Sequence, residues 1–212
     1  MSHLKRKNAP LKWGIPRKGA PFIPKSDLNG MPVLIALRDI LKLVKNRKEL
    51  KKAIYKKEIL ICNKEIRDEK RTIKLLDTLT IVPLKKSYRM VLSEKGKFKF
   101  EEINEQEKNT KISKIIDKKI LRGKKTQINL IDGRNFLSEI KCKVNDSVLI
   151  NFKTNKIEKC IPLKENARVL IIGGKHAGEE KTIKNINSKM RIIETEDSGK
   201  KLKILVNQVM AI

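Results

Sequence analysis

Asp77, Asp117 and Asp132 are the candidate catalytic carboxylates of this 212-residue chain. None of the three has a histidine or nucleophile at a recognisable spacing, and turn or cap duties account for each. Cys62, Cys142 and Cys160 lie far apart without a C-x-x-C pair, and only two histidines accompany them. Neither a zinc site nor a disulfide framework is indicated, and such cysteine usage suits a reducing, intracellular setting. Gly173 and Gly178 form the Gly-x4-Gly frame of a phosphate loop. Glu179 and Glu180 then stand where Lys and Ser/Thr belong, and acids there repel phosphate. The chemistry that remains is that of cations.

Lys and Arg number 51 against 24 Asp and Glu, a formal charge of +27. Self-repulsion on that scale opposes folding in isolation, whereas contact with a polyanion releases condensed counterions and becomes favourable. An AT-rich genome also inflates lysine, and only 11 of the basic residues are Arg. The same drift enriches Glu, so it does not produce the excess. The composition predicts a nucleic-acid partner. Aromatic residues make up only 4%, which argues against a platform that stacks unpaired bases.

The cations fall into groups. Lys5, Arg6, Lys7, Lys12, Arg17 and Lys18 lie in the first thirty residues around Trp13. The arginines offer planar forks for phosphate oxygens, and Trp13 either wedges against a ribose or base or packs on the protein's own β-domain. Arg47, Lys48, Lys51 and Lys52 occupy the first turns of an expected helix, whose dipole adds to their pull on phosphate, and Arg67, Lys70 and Arg71 extend that patch. A third cluster comprises Lys114, Lys118, Lys119, Arg122, Lys124 and Lys125.

Four segments must position these groups. Residues 1–31 are net +6, carry four prolines and show no apolar period, so they read as an extended basic arm ordered by its partner. In 32–84, net +7, Leu34, Leu37, Leu41 and Val44 recur at helical spacing. Asn46 and Glu49 form a capping-box pattern opening a second helix, with Leu50, Ala53 and Ile54 as its apolar stripe. Residues 59–61 and 78–81 follow as short strands around a charged loop. Segment 85–163, net +10, is mainly β, with strands at 88–92, 127–131, 134–137 and 148–152, and Asp132-Gly133 marks a two-residue hairpin turn. The last unit, 164–212 and net +4, suggests a small barrel with strands at 168–172, 182–186, 190–195 and 202–206, the last two joined at Ser198-Gly199. No apolar run approaches the roughly 18 residues of a membrane span. The basic, proline-broken start reads as neither a signal nor a transit peptide.

Several motifs carry a resemblance. The helix pair over 32–56 followed by Ile59-Leu60-Ile61 resembles the small αL RNA-binding domain of bacterial ribosomal protein four. Two family glycines are replaced here, by Lys57 and Asn63, and a third position maps to Lys74, three before Asp77. Asn tolerates positive φ better than Lys. The run from Ala167 through Gly173-Gly174-Lys175-His176-Ala177-Gly178 resembles the KOW motif, with Lys181 in place of its usual second glycine. With His3-Leu4-Lys5-Arg6, Trp13, Arg17-Lys18-Gly19, Asp132-Gly133-Arg134-Asn135 and Ile161-Pro162-Leu163, the whole chain resembles the archaeal and eukaryotic small-subunit ribosomal protein four, the "four-e" family. It departs from that family in lacking a P-G-P-H stretch before the first helix and an aromatic C-terminal tail.

The resemblance implies an α+β multi-domain architecture: an extended basic N-terminal arm, an αL RNA-binding domain, a central β-domain and a C-terminal KOW (SH3-like) small β-barrel. It implies a cytoplasmic, structural constituent of the small ribosomal subunit that binds small-subunit rRNA directly and touches neighbouring ribosomal proteins. No enzymatic activity, cofactor, membrane or small-molecule substrate is implied. Arg134, Lys175 and His176 join the expected RNA contacts.

Overall fold

The apolar residues after Pro32 form a shorter helix than their spacing predicts. In the computed structural model, which describes residues 3–25, 27, 29–187, 192–197 and 200–212, α1 (Val33–Ile35) passes into a single π-helical turn, Ala36–Ile40. The amides of Leu43 and Val44 both turn back to the Leu37 carbonyl, and Lys42 takes φ 54°. Leu41 and Val44 therefore lie beyond the helix. Met31 through Leu37 are all buried, so the first turn is core on every side, and only Arg38 and Asp39 in the π turn give the element a half-buried polar edge.

The second helix matches its signals. In α2 (Arg47–Tyr55) the Asn46 side chain accepts the Glu49 amide at 3.0 Å, and the Glu49 carboxylate accepts the Lys45 amide at 2.7 Å. One orphaned donor of the first turn is thus satisfied by the N-cap, and Glu49 reaches back one residue past the cap. Leu50 and Ile54 anchor its inner face.

By chain contacts there are two units, Met1–Leu92 with Lys97–Asn109, and Ser93–Gly96 with Thr110–Ile212. The first contains β1 (His3–Lys5), β2 (Phe22–Pro24), β3 (Gly30–Pro32), β4 (Ile59–Ile61), β5 (Lys64–Glu65), β6 (Thr72–Lys74), β7 (Thr78–Ile81), β8 (Lys86–Leu92) and β9 (Phe98–Ile103). Strands β5-β4-β7-β8-β9 form one antiparallel sheet, so the sheet continues through the boundary expected at residue 85. Ile59, Ile61, Leu79, Ile81, Met90 and Leu92 fill its buried face.

The N-terminal segment is not the extended, partner-ordered arm that its composition predicts. Strand β1 pairs antiparallel with β2, and β3 pairs with β6. Trp13 is 1% exposed, and its indole N–H donates to the Gly30 carbonyl at 2.8 Å. A few long-range hydrogen bonds supply what the segment lacks in apolar period.

The second unit holds β10 (Thr110–Ile120), β11 (Thr126–Leu130), β12 (Asn135–Leu137), β13 (Ser147–Asn151), β14 (Lys156–Ile161), β15 (Arg168–Ile171), β16 (Glu180–Asn187), β17 (Ile192–Asp197), β18 (Lys200–Leu205) and β19 (Val209–Ala211). They make two five-stranded antiparallel sheets, in order β12-β11-β10-β13-β14 and β18-β17-β16-β15-β19. Val169, Ile171, Ile183, Ile193, Ile204 and Val209 form the core of the second. The turn expected at Ser198-Gly199 lies outside the described residues.

Candidate nucleic-acid interface

The basic face of α2 is present and open. Lys48, Lys51 and Lys52 are exposed, and none forms an ion pair with a described residue. Arg47 behaves differently, because its guanidinium Nε donates to the Glu69 carboxylate at 2.8 Å and Nη2 bonds the same oxygen. Burial of Glu69 acts to raise its pKa. The Arg47 hydrogen bond, a backbone hydrogen bond and the charges of Arg47 and Lys51 outweigh it and hold the carboxyl below its ordinary value. This pair brings the segment carrying exposed Arg67 and Arg71 and half-buried Lys70 beside the helix start.

Within the N-terminal segment the structure separates two kinds of residue. Lys5, Lys7, Lys12, Arg17 and Lys18 are exposed. Arg6 is 6% exposed and donates to the Ala20 carbonyl (Nε, 3.0 Å) and the Pro16 carbonyl (Nη1, 3.0 Å), with Asp39 at 3.5 Å from Nη2. Its fork holds the fold of the segment and is not offered to phosphate, which corrects the sequence expectation. Trp13 is likewise buried, its indole bonded to Gly30 of the same segment rather than to the β-domain that its second reading named.

The third cluster is split by the depth of strand β10. Lys114 is 3% exposed, and its ammonium donates to the carbonyls of Val206 and Val209, which flank the start of β19. Burial pushes its pKa down to about 8. Lys118 is half-buried and donates to the Cys142 carbonyl. Lys119, Arg122 and Lys125 are exposed around the β10–β11 loop, while the side chain of Lys124 lies outside the described residues. The sequence missed two apolar members of this site, Ile120 and Leu121, 81% and 41% exposed. Their signal is that they interrupt the basic run Lys118–Lys125.

Arg134 sits at a structured corner. The Leu130 amide donates to the Arg134 carbonyl and the Gly133 amide to the Leu130 carbonyl. With Gly133 at φ 81°, this is a three-residue loop rather than the two-residue turn that Asp132-Gly133 predicts. The buried Asp132 carboxylate accepts the Lys111 ammonium at 2.9 Å and the Arg134 amide at 3.1 Å. The Arg134 guanidinium lies 4.7 Å over the Phe152 ring. Asp132 thus ties strand to loop, and Arg134 is partly engaged.

In the glycine-rich loop Lys175 is exposed. His176 is half-buried with its Nδ1 3.0 Å from Glu179, whose carboxyl is held below its ordinary value by hydrogen bonds from His176 and Lys181. Gly178 takes φ 98°, and an added Cβ would overlap the Ser93 carbonyl. The family glycine positions also have an outcome. Lys57 and Asn63 adopt φ 59° and 60°, whereas in the turn closed by the Asp77 amide on the Lys74 carbonyl it is Leu76, not Lys74, that is left-handed, at φ 59°.

Among the described residues no His/Cys/Asp/Glu cluster is arranged to hold a metal, and no helix is long and apolar enough to cross a membrane. By class this is a strongly basic, mostly β protein whose described surface is rich in exposed lysine. Comparison with known proteins sharpens that class. The profile described as "Ribosomal family S4e" matches residues 84–157. The small ribosomal subunit protein eS4 of Methanocella arvoryzae is 34% identical over 191 residues, covering 87% of this chain and 81% of that protein. The protein of the same name from Methanothermobacter thermautotrophicus is 33% identical, with 87% and 79% covered. The crystal structure of the 30S ribosomal protein S4e from Thermoplasma acidophilum has the same fold at TM-score 0.75 and 23% identity, covering 87% of this chain and 95% of that one. The chain belongs to the S4e family of ribosomal proteins, and it is not an enzyme.

Proposed function

We propose that this protein is a structural constituent of the small ribosomal subunit, cytoplasmic with the ribosome, that binds small-subunit rRNA directly and abuts neighbouring ribosomal proteins. The observation that carries the reading is the row Lys48, Lys51 and Lys52, exposed at the start of α2 and without an ion pair to any described residue. The helix dipole and these ammonium groups favour phosphate at one place, and such a surface reads A-form shape and backbone rather than base sequence. Arg67, Lys70 and Arg71 extend it, and Lys5, Lys7, Lys12, Arg17 and Lys18 supply a second exposed surface. In this reading residues 32–84 act as an αL RNA-binding domain whose sheet continues into the start of the central β-domain, 85–163, and residues 164–212 act as a KOW domain that presents Lys175. The relatives named above, called small ribosomal subunit proteins, support the assignment.

The test is co-sedimentation of the tagged protein with small subunits across a salt series, paired with affinity for an in vitro transcript of small-subunit rRNA. Release only at high salt is expected. Charge reversal at Lys48 with Lys52 should weaken binding and flatten the slope of log K on log salt by about 2. A free protein at the top of the gradient refutes the ribosomal reading, and an unchanged slope refutes the placement of the face.

A further inference from the structure

The β10–β11 hairpin ends in a tip that is both basic and apolar. Its sequence from Lys118 to Lys125 holds five cations, two large aliphatic residues, one glycine and no acid. The ladder to β13 ends at Lys114, and β12 pairs only with Gln127–Asn129, so the Ile120–Thr126 pair lies past both neighbouring strands. Six residues beyond Lys114 at about 3.3 Å each carry the chain roughly 20 Å past the end of that ladder. The Leu121 amide donates to the Lys125 carbonyl at 2.8 Å and closes the loop. At Gly123, φ 78°, an added Cβ would meet nothing within 4 Å, so the apex stands in open space. Lys118 is tied inward to the Cys142 carbonyl and fixes the base of the hairpin.

Single exposed aliphatic residues on a protein surface need no explanation. Here Ile120 and Leu121 are consecutive, so the two-residue period of a strand sends them to opposite faces of the ribbon, and cations surround both. A protein partner would have to bring an apolar patch rimmed by several carboxylates to match this tip. Double-stranded RNA supplies both halves of the match without special sequence. Its wide, shallow minor groove presents ribose edges between two rows of phosphates, whereas its deep major groove is too narrow to enter. Two strands about 4.8 Å apart, with side chains on both faces, make a blade that such a groove can receive.

We propose that the tip of the β10–β11 hairpin docks into the minor groove of an A-form RNA helix, with Ile120 and Leu121 against ribose and Lys119, Arg122 and Lys125 on the flanking phosphates. This rests on the rRNA-binding reading above and adds to it an apolar anchor that counterion release does not supply. Apolar contact is salt-insensitive and phosphate contact is not, so two variants separate them.

The experiment uses the full chain and an in vitro transcript of small-subunit rRNA, with affinity measured across a salt series and hydroxyl-radical footprinting of the riboses. Ile120→Ser with Leu121→Ser should reduce affinity at least about fivefold and leave the salt slope unchanged. It should also remove ribose protection on both strands of one paired tract while the remaining footprint persists. Lys119→Gln with Arg122→Gln and Lys125→Gln should lower the slope by about 2 to 3. All five side chains are exposed, so the thermal transitions of both variants should match wild type. Wild-type affinity and footprint in the serine variant overturns the proposal. Absence of RNA binding by the wild-type chain sinks the rRNA reading itself and this proposal with it.

Discussion

Lys114 allows a stability experiment whose sign is fixed in advance. Its side chain is 3% exposed and burial lowers its pKa from 10.5 to about 8. Below pH 8 the amine is protonated in both folded and unfolded chains, and no pH slope arises from it. Between pH 8 and 10.5 the unfolded chain binds the extra proton, so unfolding free energy rises with pH. Above 10.5 both states are neutral and the slope vanishes again. A displacement of about 2.5 pKa units corresponds to roughly 3 kcal/mol gained across that window. The hydrogen bonds to the Val206 and Val209 carbonyls favour the charged form and oppose this, so 3 kcal/mol is the upper figure. Tyrosines, cysteines and other lysines titrate in the same range, which is why the comparison must be with Lys114→Met. That variant removes the charge but leaves two carbonyls without their donor, costing about 1–3 kcal/mol each. Urea unfolding of both proteins at constant ionic strength, from pH 7 to 10.5, isolates the titration. Wild type should gain on Lys114→Met by up to about 3 kcal/mol, with the rise confined to pH above 8. A difference that stays flat, or that grows as pH falls, would show that burial does not disfavour the ammonium in the folded chain and would refute the lowered pKa.

Other outcomes follow from single positions. Lys57→Gly should stabilise the protein by about 0.5–1 kcal/mol in thermal denaturation, because φ 59° suits glycine and the Lys57–Glu65 pair it removes is exposed. Gly178→Ala should destabilise by about 2 kcal/mol or more, read from the denaturant midpoint, since it combines φ 98° with overlap on the Ser93 carbonyl. Trp13→Phe should cost about 1–3 kcal/mol by circular dichroism melts through the orphaned Gly30 carbonyl, with rRNA affinity unchanged. Lost affinity with unaltered stability would return Trp13 to the RNA-contact reading.

What was legible in the sequence was local. Asn46 and Glu49 announce α2 because a capping box is made within four residues. Asp132-Gly133 announces its hairpin for the same reason, although the extra loop residue depends on where the Leu130 amide finds its acceptor. The N-terminal segment misleads because its stability comes from contacts 10 to 33 residues apart, Arg6 with Pro16, Ala20 and Asp39. Composition cannot show a guanidinium replacing an apolar core. Lys114 misleads because lysine is rarely buried, and it is buried here through partners far along the chain, the Val206 and Val209 carbonyls. A bulge between Ile115 and Asp117 further breaks the alternation that would have separated inward from outward cations on β10. Charge count predicts a polyanion partner, but only the fold tells which cations are available to meet it.

The left-handed turns have a consequence for how this chain tolerates change. Lys42, Lys57, Cys62, Leu76 and Lys85 all hold backbone angles that glycine adopts at no steric penalty. Each costs on the order of 1–2 kcal/mol. A free-standing domain with a narrow stability margin would be under selection to restore glycine at such places. A chain whose folded form is captured by a tight partner is not, because capture adds stability in proportion to the logarithm of partner concentration over Kd. Turns then become positions where a lysine can enter, and three of these five have one. On the proposed function, the particle relaxes selection on the backbone and the relaxed sites accumulate charge that the particle can use. Melting of the purified chain would then understate its persistence in the cell, and restoring glycine at those turns should raise the former with little effect on the latter.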